Sequence, residues 1–194
     1  MRELSLNVLD IAQNSIAAGA SLTEITVEED TAADRVVIIV KDDGRGMTPE
    51  QVRRVSDPFY TTRTTRKVGM GIPLFRMAAE MAGGGLTIDS TPGVGTTVTA
   101  SFVRSHIDRM PLGDMTGTVV ALVRMNPERD FRYVRRWNGR EFAVDTRELR
   151  EILGDVPLNT PEVAEWIGAY IEEQTEAILA PPSGGEPEGA SIKS

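Results

Sequence analysis

The chain has no cysteine and a single histidine. The first absence excludes disulfides, thiolate chemistry and cysteine-based zinc sites, and it fits a reducing compartment. Positive charge is in deficit: 21 lysines and arginines face 29 aspartates and glutamates, a formal net charge of -8. A generic binder of nucleic acid or of an anionic membrane is therefore not expected. Long apolar runs are also missing. No stretch reaches the roughly 18 apolar residues of a membrane span, and the opening MRELSLNVLD lacks the apolar centre of a signal peptide. The expectation is a cytoplasmic protein. What remains is ordinary, with 194 residues, 40% hydrophobic and 26% charged. That is enough for one domain with an extension around a real core.

Residues 3–18 place Leu4, Val8, Ile11 and Ile16 at helical spacing, and Gly19 supplies a stop just past the end. SLTEITVEED and DRVVIIVKDD read as two strands around a polar turn. Thr48 is placed to cap a helix opened by Pro49 and Glu50. PFYTTRTTRKVGMG has no apolar period and reads as a loop, whereas IPLFRMAAEMA is a helix closed by the glycines at 83–85. LTIDS and TTVTASFV form a hairpin across TPGVG. This order predicts an α+β fold over residues 1–103, a two-layer α/β sandwich with helices on one face of a mixed sheet. Residues 104–179 predict a small C-terminal α+β extension. There TGTVVALVRM, DFRYVRRW and REFAVDT read as strands, the last two joined by Asn138-Gly139, a type I′ hairpin signal. TRELREILG and TPEVAEWIGAYIEEQTEAIL read as helices with threonine caps. The aromatic and basic FRYVRRWNGR is a candidate docking surface, with ordinary strand amphipathicity as the plainer account. Residues 180–194, rich in Pro, Gly and Ser, are expected to be a disordered tail.

Five short motifs carry the functional signal. They are Asp10-x-x-x-Asn14, Asp42-x-Gly44-x-Gly46, Pro58-Phe59 ahead of a Thr/Arg loop, Gly69-x-Gly71 opening a helix, and Gly93-x-Gly95-Thr96 in a hairpin. One G-x-G alone is usually only a turn; the ordered set is informative. RVVIIV followed by KDDGRGMTPE drives a strand into a carboxylate pair and a turn with almost no side chains. Such a turn can bring backbone and one carboxylate against a flat ligand. In this set and order the chain resembles the GHKL superfamily, which holds histidine-kinase catalytic domains, MutL-type repair ATPases, type II topoisomerase ATPase domains and heat-shock chaperones. The motifs match its N, G1, F, G2 and G3 boxes. The resemblance covers residues 2–103 and leaves 104–194 out. It implies a Bergerat-type ATP-binding fold that uses ATP and Mg²⁺.

The resemblance assigns roles that suit the residue types. Asp42 would accept a hydrogen bond from the adenine amino group; a carboxylate cannot donate, so it selects adenine over guanine. Gly44 would let the ring lie against backbone, with Gly46 and Met47 following in the turn. Asp43 is expected to point to solvent. Asn14 would offer its amide oxygen to Mg²⁺, a hard ion that keeps waters. Gly69 and Gly71, with Met70 and Ile72 beside them, would bare backbone N–H groups to phosphate at a helix start. Pro73 fits in that first turn, where a missing N–H costs little. Phe59, Thr62 and Arg63 belong to the loop of the site. Arg63, Arg66 and Lys67 are placed to pair with phosphates, a solvated charge run being the plainer reading. Thr96 would complete the base contacts directly or through water. Asp10 stands where the family usually has Glu, orienting or deprotonating the attacking group. It shares a helix face with Asn14 but is one methylene shorter.

The chain mixes the branches. AQNSIAAGAS resembles the repair-ATPase form, while DPFYTTR and GMGIPLF resemble nitrogen-regulatory-type histidine kinases. The short loop between Phe59 and Gly69 favours the kinase or anti-sigma-factor branch, and Ala17 matches neither. A histidine kinase carries its phosphoacceptor on a two-helix domain ahead of this one. The only histidine, His106, follows the motifs and reads as a surface or linker residue. Self-phosphorylation is therefore not expected. Three readings stay open. One is a stand-alone kinase-like ATP-binding protein acting on a separate protein partner. The others are a slow ATPase whose nucleotide state gates assembly, and a non-catalytic ATP sensor with residues 104–179 as a partner-docking module. Neither nucleic acid nor membrane is expected as a partner, and homodimerisation stays open.

Overall fold

Helix α1 (Leu4–Ala17) turns Leu4, Val8 and Ile11 into the core, and the chain reverses at Gly19, φ 77. These coordinates are a computed structural model, which describes residues 2–57 and 70–183. Strands β1 (Leu22–Asp30) and β2 (Arg35–Asp42) follow as an antiparallel pair. Helix α2 (Pro49–Ser56) opens with a capping box, Thr48 accepting from the Gln51 N–H while the Gln51 side chain takes the Thr48 N–H. Then come α3 (Gly71–Met81), β3 (Gly85–Thr91) and β4 (Gly95–Val103). Beyond them lie α4 (Met115–Met125), β5 (Asp130–Trp137), β6 (Arg140–Asp145), α5 (Thr146–Leu153) and α6 (Pro161–Leu179).

The six strands form one mixed sheet in the order β3-β4-β2-β1-β5-β6. Among the described residues, only β1 and β5 run parallel. Register sets one face of the sheet inward. Val36, Ile38 and Val40 of β2 stand opposite Glu29, Val27 and Ile25 of β1, and opposite Phe102, Ala100 and Val98 of β4. All nine are buried. Helices α1, α3, α4 and α6 pack against the sheet and one another, giving a two-layer α/β fold. Residues past 103 share this construction: β5 pairs with β1, and Leu122, Phe131 and Ile171 belong to the same buried cluster as Leu4 and Phe75.

Three local expectations are corrected. Residues 116–125 are helix α4, not a strand. The β-branched run TVVALV suggests a strand, but Met115, Val119, Leu122 and Val123 recur at helical spacing and are buried. Asp114 caps this helix by accepting from the Gly117 N–H. The threonine cap expected for α5 is also wrong, because Asp145 accepts from the Arg147 N–H and Thr146 is the first helical residue. At α6, Thr160 does occupy the cap position, but its hydroxyl makes no cap bond and is buried without a partner.

The third correction concerns FRYVRRWNGR, which is not a free docking surface. Phe131, Tyr133 and Arg135 point inward and are buried. Arg135 Nη2 reaches Glu29 Oε1 at 2.5 Å, and Arg104 Nε reaches Glu29 Oε2 at 3.0 Å while lying over the Trp137 ring. Arg136 pairs with Glu28 and Glu141. Burial pushes the Tyr133 hydroxyl up to about 12. Asn138 and Gly139, with φ 48 and 82, form the hairpin turn that the dipeptide predicts. Among the described residues, no helix is long and apolar enough to cross a membrane.

Candidate functional site

Strand β2 ends at Asp42, whose carboxylate is held from two sides. Ser15 Oγ of α1 donates to Asp42 Oδ2 at 2.6 Å, and the Gly44 N–H donates to Oδ1 at 2.9 Å. The two oxygens of a carboxylate offer about four lone-pair positions, so acceptor capacity remains. Asp42 lines a cavity of about 190 Å³ bounded by α1, the turn after β2, and Ile72, Thr96 and Val98. Its apolar walls include Ile11, Ile72 and Val98, and its polar groups include Asn14, Ser15 and Thr96. An apolar slot with a few placed polar groups suits a flat heteroaromatic ligand.

The turn after β2 is held by backbone contacts. The Arg45 N–H donates to the Ala18 carbonyl at 3.0 Å, and the Gly93 N–H donates to the Arg45 carbonyl at 2.7 Å. Gly46 has φ 69, and a Cβ there would run into the Thr91 carbonyl. Gly95 has φ 144, and a Cβ there would run into the Asp42 carbonyl. The turns after β2 and between β3 and β4 thus interlock at distances only glycine permits. The Met47 N–H donates to Ser90 Oγ at 2.8 Å, and Ser90 Oγ meets Thr96 Oγ1 at 2.8 Å. Thr96 is the β4 partner of Asp42, so this network joins the turn to the cavity wall.

Helix α3 starts on the opposite side, with no side-chain cap hydrogen bond, and Pro73 lies in its first turn. Gly71 faces α1: a Cβ there would lie 3.3 Å from Asp10 Cβ and 3.8 Å from Asn14 Nδ2. The helix start, Asp10 and Asn14 are therefore neighbours. Burial around the Asp10 carboxyl raises its pKa above the usual 3.8.

Residues 1–106 match the family model described as histidine kinase-, DNA gyrase B-, and HSP90-like ATPase. The chain belongs to this ATPase family. It is 32% identical over 93 residues to the sensor histidine kinase ZraS of Salmonella typhi, 47% of this chain and 20% of that protein. It is 32% identical over 88 residues to sporulation kinase C of Bacillus subtilis, 45% of this chain and 20% of the relative. The matched part is thus about a fifth of these kinases' length. The solved N-terminal domain of a DNA repair protein shares the fold, with TM-score 0.51 and 18% identity. That likeness covers 74% of this chain and 52% of the other.

Within this histidine kinase-like ATPase domain, Asn14, Asp42, Gly46, Met47, Ile72 and Thr96 line one cavity. Asp10 and Gly71 stand beside Asn14, and Met70 precedes them at the exposed start of α3. Gly44 packs behind Asp42, where a Cβ would lie 2.9 Å from the Ala18 carbonyl. Phe59, Thr62, Arg63 and Gly69 lie outside the described residues, as do Pro58, Arg66 and Lys67. Asp43 is exposed and accepts from Ser21 Oγ and the N–H groups of Ser21 and Leu22. Burial acts to raise its pKa, but these bonds outweigh it and lower the pKa below 3.8.

Sequence reasoning missed Ser15 and Ser90. Ser15 has a usable signal, since it sits four residues after Ile11 on the buried row of α1, and a buried hydroxyl needs a partner. Ser90 has none, because its role depends on strand register. His106 lies in the turn after β4, where its Nδ1 accepts the Asp108 N–H at 3.1 Å. A Cβ on Gly83, past the far end of α3, would lie 3.4 Å from His106 Cδ2. About 15 Å of helix separates that end from Gly71.

Proposed function

We propose that this ATPase-family chain binds Mg-ATP and regulates a separate protein as a kinase-like factor. The observation that carries the reading is the fixed Asp42 carboxylate, clamped by Ser15 and Gly44 and facing an apolar cavity with acceptor capacity left. Those features fit an adenine ring, whose amino group supplies the missing donor. The start of α3, which Gly71 sets beside Asp10 and Asn14, fits phosphate oxygens. No three His, Cys, Asp or Glu side chains gather as a metal cage among the described residues. Asn14, beside the start of α3, would offer one oxygen ligand, the others coming from phosphate and water. When bound, the cation would neutralise phosphate charge and ATP would supply a transferable phosphoryl group.

Asp10 is the candidate for orienting or deprotonating the attacking group. It lies one helical turn from Asn14, and its raised pKa makes it a better proton acceptor than an ordinary aspartate. The histidine kinase-like matches favour transfer to a protein over simple hydrolysis. Melting curves test nucleotide choice: ATP or ADP with Mg²⁺ should raise Tm, and GTP should not. Equal stabilisation by GTP would contradict the Asp42 assignment. With γ-labelled ATP, label on an added partner supports the kinase reading, steady turnover without a partner supports an ATPase, and neither supports a sensor.

A further inference from the structure

Helices α5 and α6 leave an open apolar groove in the part of the chain beyond the family match. It is lined by Leu149, Ile152 and Leu153 of α5 and by Val163 and Trp166 of α6, and encloses about 230 Å³. Large apolar side chains stand out to solvent around it: Ile152 is 80% exposed, Trp166 51% and Val156 48%. Trp166 stacks on Tyr170 with ring centroids 5.2 Å apart and planes 11° from parallel. Its indole is thus a braced flat wall rather than a loose side chain.

Unpaired charge around the groove is acidic, because Arg147 and Arg150 of α5 are taken up by Asp145 and Asp130. Residues 151–183 hold seven acidic side chains and no lysine or arginine. Residues 1–150 hold 20 acidic and 20 basic ones, so the whole net charge of -8 lies beyond them. Glu148 and Glu151 flank the lining positions of α5, and Glu162 and Glu165 flank those of α6. Among the described residues none of these four forms an ion pair. An apolar slot between unpaired glutamates has a definite complement.

We propose that the α5–α6 groove docks a basic amphipathic helix of the regulated protein. One of its aliphatic or aromatic side chains sits between Ile152 and Trp166, and its lysines or arginines face the flanking glutamates. A second copy of this chain is a poor occupant, since it would set two acidic faces together. The proposal rests on the regulator reading only for the existence of a protein partner; the groove itself is independent of the nucleotide site.

The test uses the full chain and three synthetic peptides of about 18 residues. The first carries leucine at i, i+3, i+4 and i+7 with lysine elsewhere. The second replaces lysine by glutamate, and the third replaces leucine by alanine. Calorimetric titration should detect the Leu/Lys peptide alone, with a blue shift of tryptophan emission and weaker binding as NaCl rises. Ile152→Asp and the double variant Glu162→Lys/Glu165→Lys should each weaken binding by about tenfold or more. These are exposed positions, so both variants should keep the wild-type ATP-induced rise in Tm. Absence of Leu/Lys binding, equal binding of either control peptide, or indifference to Ile152→Asp would overturn the proposal. A dimer in sedimentation that Ile152→Asp splits would also overturn it, giving the groove to a second copy. Peptide binding without any ATP-induced shift would sink the nucleotide reading and leave the groove assignment standing.

Discussion

Replacing Glu29 by alanine tests how the segment beyond residue 103 is joined to the ATPase domain. Glu29 ends β1 and is 6% exposed; Arg135 of β5 is 5% exposed. In the variant Arg135 keeps the Arg136 carbonyl at 2.9 Å and loses its counter-charge, while Arg104 loses the carboxylate that fixes it over Trp137. Removing one partner of a buried pair costs about 3–5 kcal/mol, because the remaining charge stays desolvated. For a chain of this size, 1 kcal/mol corresponds to about 2–4 °C in Tm. The expected fall is therefore roughly 6–20 °C. Arg104 is 34% exposed, so Arg104→Ala should cost far less, on the order of 1 kcal/mol. Glu29→Leu combined with Arg135→Met should recover most of the loss, since no charge is left buried. Urea unfolding followed by circular dichroism and by tryptophan fluorescence gives both the size and the cooperativity. A Glu29→Ala loss below about 1 kcal/mol would refute the reasoning. So would two separated transitions in the wild type, because β1 and β5 share one sheet.

Gly46→Ala should weaken ATP binding and lower Tm more than Gly19→Ala. Both glycines have positive φ, but only at Gly46 would the Cβ meet backbone, the Thr91 carbonyl; equal effects in melting and calorimetry would contradict the interlock. Asp10 has a raised pKa in the folded state, so its protonation favours folding below pH 3.8, and that contribution is lost as pH rises through the folded value. Asp10→Asn should thus match the wild type below about pH 3.8 and equal or exceed its Tm at pH 7, while losing any phosphoryl transfer. A wild type that is the more stable at pH 7 would contradict this. His106→Ala should leave nucleotide binding unchanged, and γ-labelled ATP alone should leave no acid-labile, base-stable label. A stoichiometric label lost in His106→Ala would make that residue a phosphoacceptor.

Much of residues 1–103 could be read in advance because independent signals agree there. The apolar row of α1 ends at a glycine, the α2 opening has both halves of a capping box, and the hairpins are bounded by turn residues. The candidate site is suggested in the sequence by the order of its motifs rather than by any single one. In α4 the β-branched content suggests a strand and masks the helical spacing of the buried residues. The pairing of β5 with β1 had no local signal, since a parallel contact across a hundred residues depends on the whole sheet. That pairing also explains why Arg135 and Arg136 of FRYVRRWNGR are held in ion pairs with Glu29 and Glu28 of β1. The contacts of Gly46 with Thr91 and of Gly95 with Asp42 are backbone approaches, which the sequence shows only as glycine.

The most direct measurement is a crystal structure of the chain with Mg²⁺ and a non-hydrolysable ATP analogue. The account predicts the adenine amino nitrogen about 3 Å from the Asp42 carboxylate, with the Ser15 contact kept. It places the phosphates at the start of α3 beside Asn14. A base bound elsewhere, or bound in this cavity with its amino group turned away from Asp42, would contradict the claim.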